Sequence, residues 1–450
     1  MVRSRTLPRA LRPFETGQYR LLAGALLASL FGSGVWAVAM VWEVIALGGG
    51  PSQLSAVAAA GAIGILGAVL LGGAVADRVP QKRILFAVEF CKSLVVGTVA
   101  ILALTGHLEV RHLVVAALVL GVADAFFYPA YSALLPAILP PQQLLAANGL
   151  EGMLRPAVQA AGGPALAGIL IAASSPAHAL LCVALFQLVA AAGLLFLKQT
   201  SVRRDVVSGG NPLVAALVDI RDGLVYMVRT PWILATLLFA CAMLLVIMGP
   251  IQVLLPFIVR DRLGGDAGAF AATLASFGLG GGVGSFLVAS WRLPRRYLTV
   301  MLLLWGFGCL PLLVVGVATS LWPLLVTMFV IGAVTSGANV IWGTLLQRRV
   351  PPELLGRVSS LDFFVSLALM PVSMALAGPV GERLGMTTTF AVAALVPPVL
   401  ALVALFAARL PRDELAHPVH DTHPEGTHVL DKEPEGTHPE DAGPETAEPA

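Results

Sequence analysis

Ionisable residues are scarce in this chain, so the few that interrupt its apolar runs are where any chemistry would sit. Asp124 stands in the middle of an apolar run from about Leu113 to Leu135. Arg155 precedes a stretch, residues 156 to 197, without a single charge. In a hydrocarbon setting such a group costs about 2.5–3.5 kcal/mol on insertion scales, so each must face a protein interior and find a partner. Arg155 is the candidate partner for Asp124. The two could form a proton-exchange site in which Arg155 tunes the acid by proximity, or a permanent structural ion pair. Glu43 and Glu151 fall near helix ends where water reaches them. Glu89 and Lys92, three residues apart on one helix face, are expected to pair with each other. Asp362, one turn inside its own run, is a further gating candidate.

Enzyme chemistry finds no support. Outside the tail the histidines are His107, His112 and His178, all at ends of apolar runs, and no H-E-x-x-H or G-x-S-x-G pattern occurs. Cys91, Cys182, Cys241 and Cys309 are scattered through apolar runs without metal-ligand or redox spacing. A Walker-type phosphate loop is lacking as well. No catalytic residue, metal site or cofactor is expected.

The elements that must position these residues are membrane helices. Of the 450 residues, 57% are apolar and 12% charged, and the mean hydropathy is +0.86. Soluble domains carry about 25% charged residues. A spanning helix needs about 20 apolar residues, and the runs supply twelve. The first lies between Arg20 and Glu43; its basic leader resembles a signal peptide, but the run is too long for one. The next three cover about Leu54 to Ala76, Ile84 to Thr105 and Leu113 to Leu135. Helices five and six are separated at Ser174-Ser175-Pro176. Helix seven fills Pro231 to Val259 and helix eight Ala267 to Ser290. Helices nine and ten divide near Ala318-Thr319-Ser320, helix eleven runs from about Val358 to Val380, and helix twelve from Met386 to Ala408. Lysine and arginine concentrate on the side of the termini, 22 against 4 on the other. The positive-inside rule then places both termini on the cytoplasmic side. Arginine outnumbers lysine 24 to 4, which reads as the codon bias of a GC-rich bacterial genome, so a bacterial cell membrane is the expected location.

The expected organisation is a cytoplasmic segment 1–17, a six-helix bundle 18–197, a linker 198–230, a second six-helix bundle 231–408, and a tail 409–450. Within the linker, Leu213, Leu217, Ile220, Leu224 and Met227 fall near one face of an amphipathic interfacial helix. The tail holds eleven acids from Asp413 onward against one base, Lys432, and five of the eight histidines. Its low complexity predicts disorder. His417, His420 and His423 share a three-residue spacing but no fold to hold a metal.

The two bundles repeat each other. Gly121 precedes Pro140-Pro141 by nineteen residues, as Gly332 precedes Pro351-Pro352. The loop Asp77-Arg78-Val79-Pro80-Gln81-Lys82 has its counterpart in Trp291-Arg292-Leu293-Pro294-Arg295-Arg296. Parallel repeats with a site between them are a transporter plan.

Gly73-Ala74-Val75-Ala76-Asp77-Arg78-Val79-Pro80-Gln81-Lys82-Arg83 resembles motif A of the major facilitator superfamily, with Pro80 and Gln81 in place of glycine and arginine. Gly163-Pro164-Ala165-Leu166-Ala167-Gly168 resembles motif C of that superfamily's antiporters, with Ala167 and Gln159 replacing two glycines. The stretches Gly121 to Ala130 and Ala147 to Leu150 are similar to the enterobactin-exporter-like, drug:proton antiporter branch. Motif B is missing: Ala116, Ala117 and Leu118 stand where its arginine would be. The resemblance covers about residues 14 to 410 and implies an all-α fold of twelve helices in two pseudo-symmetric bundles. It implies a secondary active transporter, proton-driven, exporting an amphipathic drug, siderophore or metabolite by alternating access. Motif A (Gly73, Asp77, Arg78, Lys82, Arg83) would gate, its Asp77 capping the start of helix eleven. Ser33, Trp36, Tyr128, Gln252, Asn339 and Trp342 would line the cavity. Alternatives are an uncoupled or inward-directed permease and, remotely, a polytopic membrane enzyme. The expected partners are a small-molecule substrate, protons and lipid, with no nucleic acid, and the chain is expected to be a monomer.

Overall fold

The computed structural model describes residues 9–76, 78–198, 212–291 and 293–418. Among these are twelve helices long and apolar enough to cross a membrane and no strand. Helices one to six are Gly17–Ala46, Pro51–Ala76, Gln81–Leu104, Val110–Ile138, Pro141–Ala173 and Pro176–Leu195. Helices seven to twelve are Pro231–Arg262, Ala267–Ser290, Tyr297–Val317, Leu321–Arg349, Arg357–Leu384 and Met386–Ala407. Helices form because a backbone in lipid must satisfy its own hydrogen bonds. Positive φ occurs at Gly48, Gly106, Gly264 and Gly385, each closing a short turn on the face opposite the termini. A side chain would be strained there.

The repeat is visible in the contacts. A Cβ added to Gly121 of helix four would lie 3.0 Å from the Gly61 carbonyl carbon of helix two. Its counterpart Gly332 of helix ten would meet helix eight, 3.1 Å from the Gly281 nitrogen. In both bundles a glycine lets one backbone touch the next, the usual device for close approach in lipid.

Two boundaries differ from expectation. Helix five starts at Pro141, before the uncharged stretch, because Pro140 and Pro141 occupy the cap and first-turn positions where proline costs nothing. The linker contains a helix, Pro212–Arg229, with Leu224 46% exposed and Met227 buried. Its Gly223 presses on helix eleven, where a Cβ would come within 2.7 Å of Leu361. The tail is ordered at its start: a short tail helix, Leu410–Ala416, docks on helix nine. Buried Glu414 accepts hydrogen bonds from Leu298 N (2.8 Å), Thr299 N (3.1 Å) and Thr299 Oγ1 (2.6 Å). A carboxylate so placed satisfies free N–H groups at a helix N-terminus and matches its dipole. Arg349 joins it, pairing with Asp413 at 2.7 Å and lying over the Trp232 ring at 4.5 Å. The remaining tail, with His420 and His423, and linker residues 199–211 lie outside the described residues.

The two bundles meet mainly on the face opposite the termini. There the start of helix two packs on the end of helix eleven, and the second half of helix five packs on helix eight. A Cβ on Gly168 would sit 3.0 Å from Gly268 Cα, so these backbones also touch. The terminal-side segment of helix five, by contrast, packs on elements of its own bundle: the preceding 3-10 turn Arg9–Glu15, helix four and the middle of helix five itself. The contact between the bundles therefore lies on the side away from the termini.

Candidate functional site

Helices one, three, four, five and six of the first bundle enclose a cavity of ≈ 270 Å³. Ser29, Ser33 and Trp36 line it from helix one, Lys92 from helix three, and Asp124, Phe127 and Tyr128 from helix four. Arg155 and Gln159 enter from helix five and Gln187 from helix six. The Arg155–Gly162 segment is π-helical. Its wider turn follows from Pro156 and Pro164, which supply no N–H to a regular ladder, and π segments recur at functional sites.

The charges pair differently from the sequence expectation. Asp124 is in contact with Lys92, not Arg155. Lys92 also faces Glu89, Nζ to Oε1 at 3.9 Å, so one ammonium serves two carboxylates. Glu89 is fully buried and accepts a hydrogen bond from Ser29 Oγ at 2.7 Å. Arg155 instead binds Glu151 one turn back, at 2.9 and 2.8 Å, and covers the Tyr128 ring at 5.3 Å. Glu151 is therefore a partner inside the protein, its side chain only 12% exposed.

Burial grades across this cluster. The Lys92 side chain is 4% exposed and that of Asp124 49%. Asp124 thus presents a carboxylate to the cavity, while Glu89 stays behind it in the bundle. Glu89 Oε2 and Gln187 Oε1 are buried without a hydrogen-bond partner among the described residues. Lys92 lies 5.3 Å from the Phe127 ring, so its charge is also met by an aromatic face.

Other sequence-derived candidates are dispersed. Ser33, Trp36 and Tyr128 stand on the cavity wall. Gln252 and Asn339 are exposed elsewhere. Trp342 does not line this cavity; its Nε1 donates to Asp362 Oδ2 at 3.0 Å, and its ring meets Trp232 edge-on and Trp305 at a tilt. In motif A, Asp77 lies outside the described residues. Arg78 and Arg83 are exposed. Lys82 caps the end of helix six, donating to Leu195 O at 2.8 Å and to Leu197 O. In motif C, Gly163 packs on Gly34 of helix one, where a Cβ would lie 2.7 Å from Gly34 Cα. Gly168 instead faces helix eight of the other bundle, with Pro164 buried between them in sequence.

A model of the transmembrane secretion effector family matches residues 9–433. The chain belongs to this family of the major facilitator superfamily. The multidrug efflux pump Tap of Mycolicibacterium fortuitum is 27% identical over 89% of this chain and 98% of its own. Macrolide efflux protein A of Streptococcus pyogenes is 23% identical over 83% of this chain and 91% of its own. Among solved structures, the nucleoside transporter NupG superposes with TM-score 0.63 at 13% identity, covering 87% of this chain and 99% of NupG. A bacterial homologue of the human lysosomal transporter Spinster, inward-facing and occupied, gives 0.65 at 15% identity, covering 89% and 98%. The family member described here is therefore a multi-pass membrane transporter for a small-molecule substrate, with the major facilitator fold and efflux-pump relatives.

Proposed function

We propose that this transporter exports amphipathic small molecules, driven by protons entering in exchange, through alternating access across the bacterial cell membrane with both termini in the cytoplasm. It works as a monomer and without nucleic acid. The names of the relatives, multidrug and macrolide efflux, favour export. The observation that carries proton coupling is the Glu89–Lys92–Asp124 cluster. With both acids ionised the three groups carry a net charge of −1, so the cluster can take a proton without leaving a naked cation in the bundle. A proton on Asp124 would release Lys92 toward Glu89, already 3.9 Å away. In the inward-facing state Asp124 is open to the cavity, where an entering substrate displaces that proton. Rocking of the bundles then exposes the cavity to the other side, where a proton returns and the substrate leaves. Trp36, Phe127 and Tyr128 give the wall an aromatic surface that suits an apolar ligand body. Motif A, through Asp77 and the start of helix eleven, holds the alternate conformer closed on the terminal side.

The test is substrate uptake into energised inverted vesicles, whose lumen corresponds to the outside of the cell. Asp124→Asn should abolish uphill, gradient-dependent transport, by at least about tenfold, while leaving membrane insertion intact because Lys92 keeps Glu89. Uphill transport retained in that variant would move coupling to other residues. Counterflow of full rate without a pH gradient in the native chain would favour an uncoupled permease.

A further inference from the structure

The contact between bundles on the face opposite the termini contains a polar latch that the cavity does not use. The Glu382 carboxylate, at the end of helix eleven, accepts from Ser52 N at 3.0 Å and from Ser52 Oγ at 2.5 Å, at the start of helix two. One turn earlier Gly378 N donates to Ser55 Oγ at 2.7 Å. Helix two needs an outside acceptor here. Gly50, just before it, has no side-chain oxygen, and Pro51 has no N–H to offer. Gln53 Oε1 turns back to bind Gly50 N at 3.0 Å, which leaves Ser52 N to the opposite bundle. The approach is close because Gly378 lacks a side chain: a Cβ there would lie 2.6 Å from Ser52 Cα.

The local sequence is Gly378-Pro379-Val380-Gly381-Glu382-Arg383-Leu384-Gly385, a G-x-x-x-E-R-x-G pattern. Motif A begins with the same spacing, Gly73 to Asp77-Arg78, at the other end of helix two. Helices two and eleven run antiparallel, so an acid at the end of either one faces the start of the other. We infer that Glu382 is a gating residue: it caps helix two across the bundle interface and holds the transporter closed on the face away from its termini. The latch breaks when that face opens, because Ser52 and Glu382 belong to bundles that must separate there. This rests on the alternating access proposed above. A carboxylate at a helix N-terminus shifts a two-state equilibrium by a factor of about two to five, which suits a contact that must open in every cycle.

The experiment uses the full chain with its four cysteines replaced by alanine and a reporter, Ala271→Cys. Ala271 is 2% exposed, under Gly168 at the helix five–helix eight contact. A membrane-impermeant maleimide is added from the face opposite the termini. Glu382→Gln and Glu382→Ala should each raise the reporter's labelling rate about two- to fivefold, and Ser52→Ala should raise it less. A second reporter, Leu180→Cys, fully buried within helix six, should stay unlabelled; labelling of both reporters would mean general loosening and would overturn the latch. Equal Ala271→Cys rates with and without Glu382 overturn it too and leave alternating access standing. A reporter silent in every variant, with substrate present, removes alternating access and the latch together.

Discussion

The interiors of the two bundles are built from the same helix pattern but hold different chemistry. Between helices one, three and four of the first, Ser29, Glu89, Lys92 and Asp124 form a charged cluster. Between helices seven, nine and ten of the second, Trp232, Trp305, Trp342 and Phe239 form an aromatic one, with ring centroids 5.8–6.4 Å apart. The acid nearest that aromatic cluster, Asp362, is engaged by the Trp342 indole at 3.0 Å and by Ser366 Oγ at 3.4 Å. A charged cluster that opens onto a cavity can exchange a proton; edge-packed indoles cannot. Under the proposed coupling, the first bundle carries the ion chemistry and the second is the body it rocks against.

The strongest way to break that comparison is to remove the shared cation. Lys92→Met leaves Glu89 and Asp124 without their common partner, and breaking a buried ion pair from one side costs about 3–5 kcal/mol. The variant should lose most of its detergent-extracted, monodisperse yield. Adding Glu89→Gln and Asp124→Asn, which removes the orphaned charges, should restore the yield but not gradient-driven efflux. Normal stability of the single variant would show that the cluster is not the electrostatic keystone of the first bundle.

A middle-sized effect is expected in the second bundle. Trp342→Phe keeps an aromatic ring, though a smaller one, and removes the donor to Asp362. Losing a hydrogen bond to a charged group costs about 1.5–3 kcal/mol. The variant should lower the thermal midpoint while leaving the proton-to-substrate ratio unchanged in vesicle transport. A changed ratio would place coupling chemistry in the second bundle and dissolve the division.

Much of this architecture was legible from charge alone. Twelve apolar runs, few of them carrying a charge, became twelve helices, and the Ser174-Ser175 break and the Gly121/Gly332 repeat stand where expected. The pairings within the site were not legible. Spacing along one helix reveals Glu89 and Lys92 as neighbours, yet it says nothing of a side chain on the next helix: Lys92 and Arg155 lie almost equally far from Asp124 along the chain, so the sequence does not tell which of them meets it. Arg155 took Glu151, one turn away on a helix whose start was hidden by Pro140-Pro141. Glu382 went unnoticed because an acid at the end of a helix reads as a hydrated surface group. Its signal was present in the G-x-x-x-E-R-x-G spacing, which only gains meaning once helices two and eleven are seen side by side. Glu414 was lost in an acidic, repetitive tail for the same reason: a cap is defined by the helix it reaches, not by its own neighbours.

The smallest predicted effect concerns that cap, and it separates stability from transport most cleanly. Glu414→Gln retains an oxygen for Leu298 N and Thr299 N but loses the charge that matches the helix-nine dipole. The cost should be about 0.3–1 kcal/mol, read as a modest drop in thermal midpoint. Arg349 should hold Asp413 as before, since their 2.7 Å pair does not pass through Glu414. Efflux rate and coupling ratio at saturating substrate should be unchanged, because helix nine lies in the bundle assigned no ion chemistry. An altered ratio with an unaltered midpoint would reverse the assignment, making the tail helix a regulator of transport rather than a fastener of the second bundle.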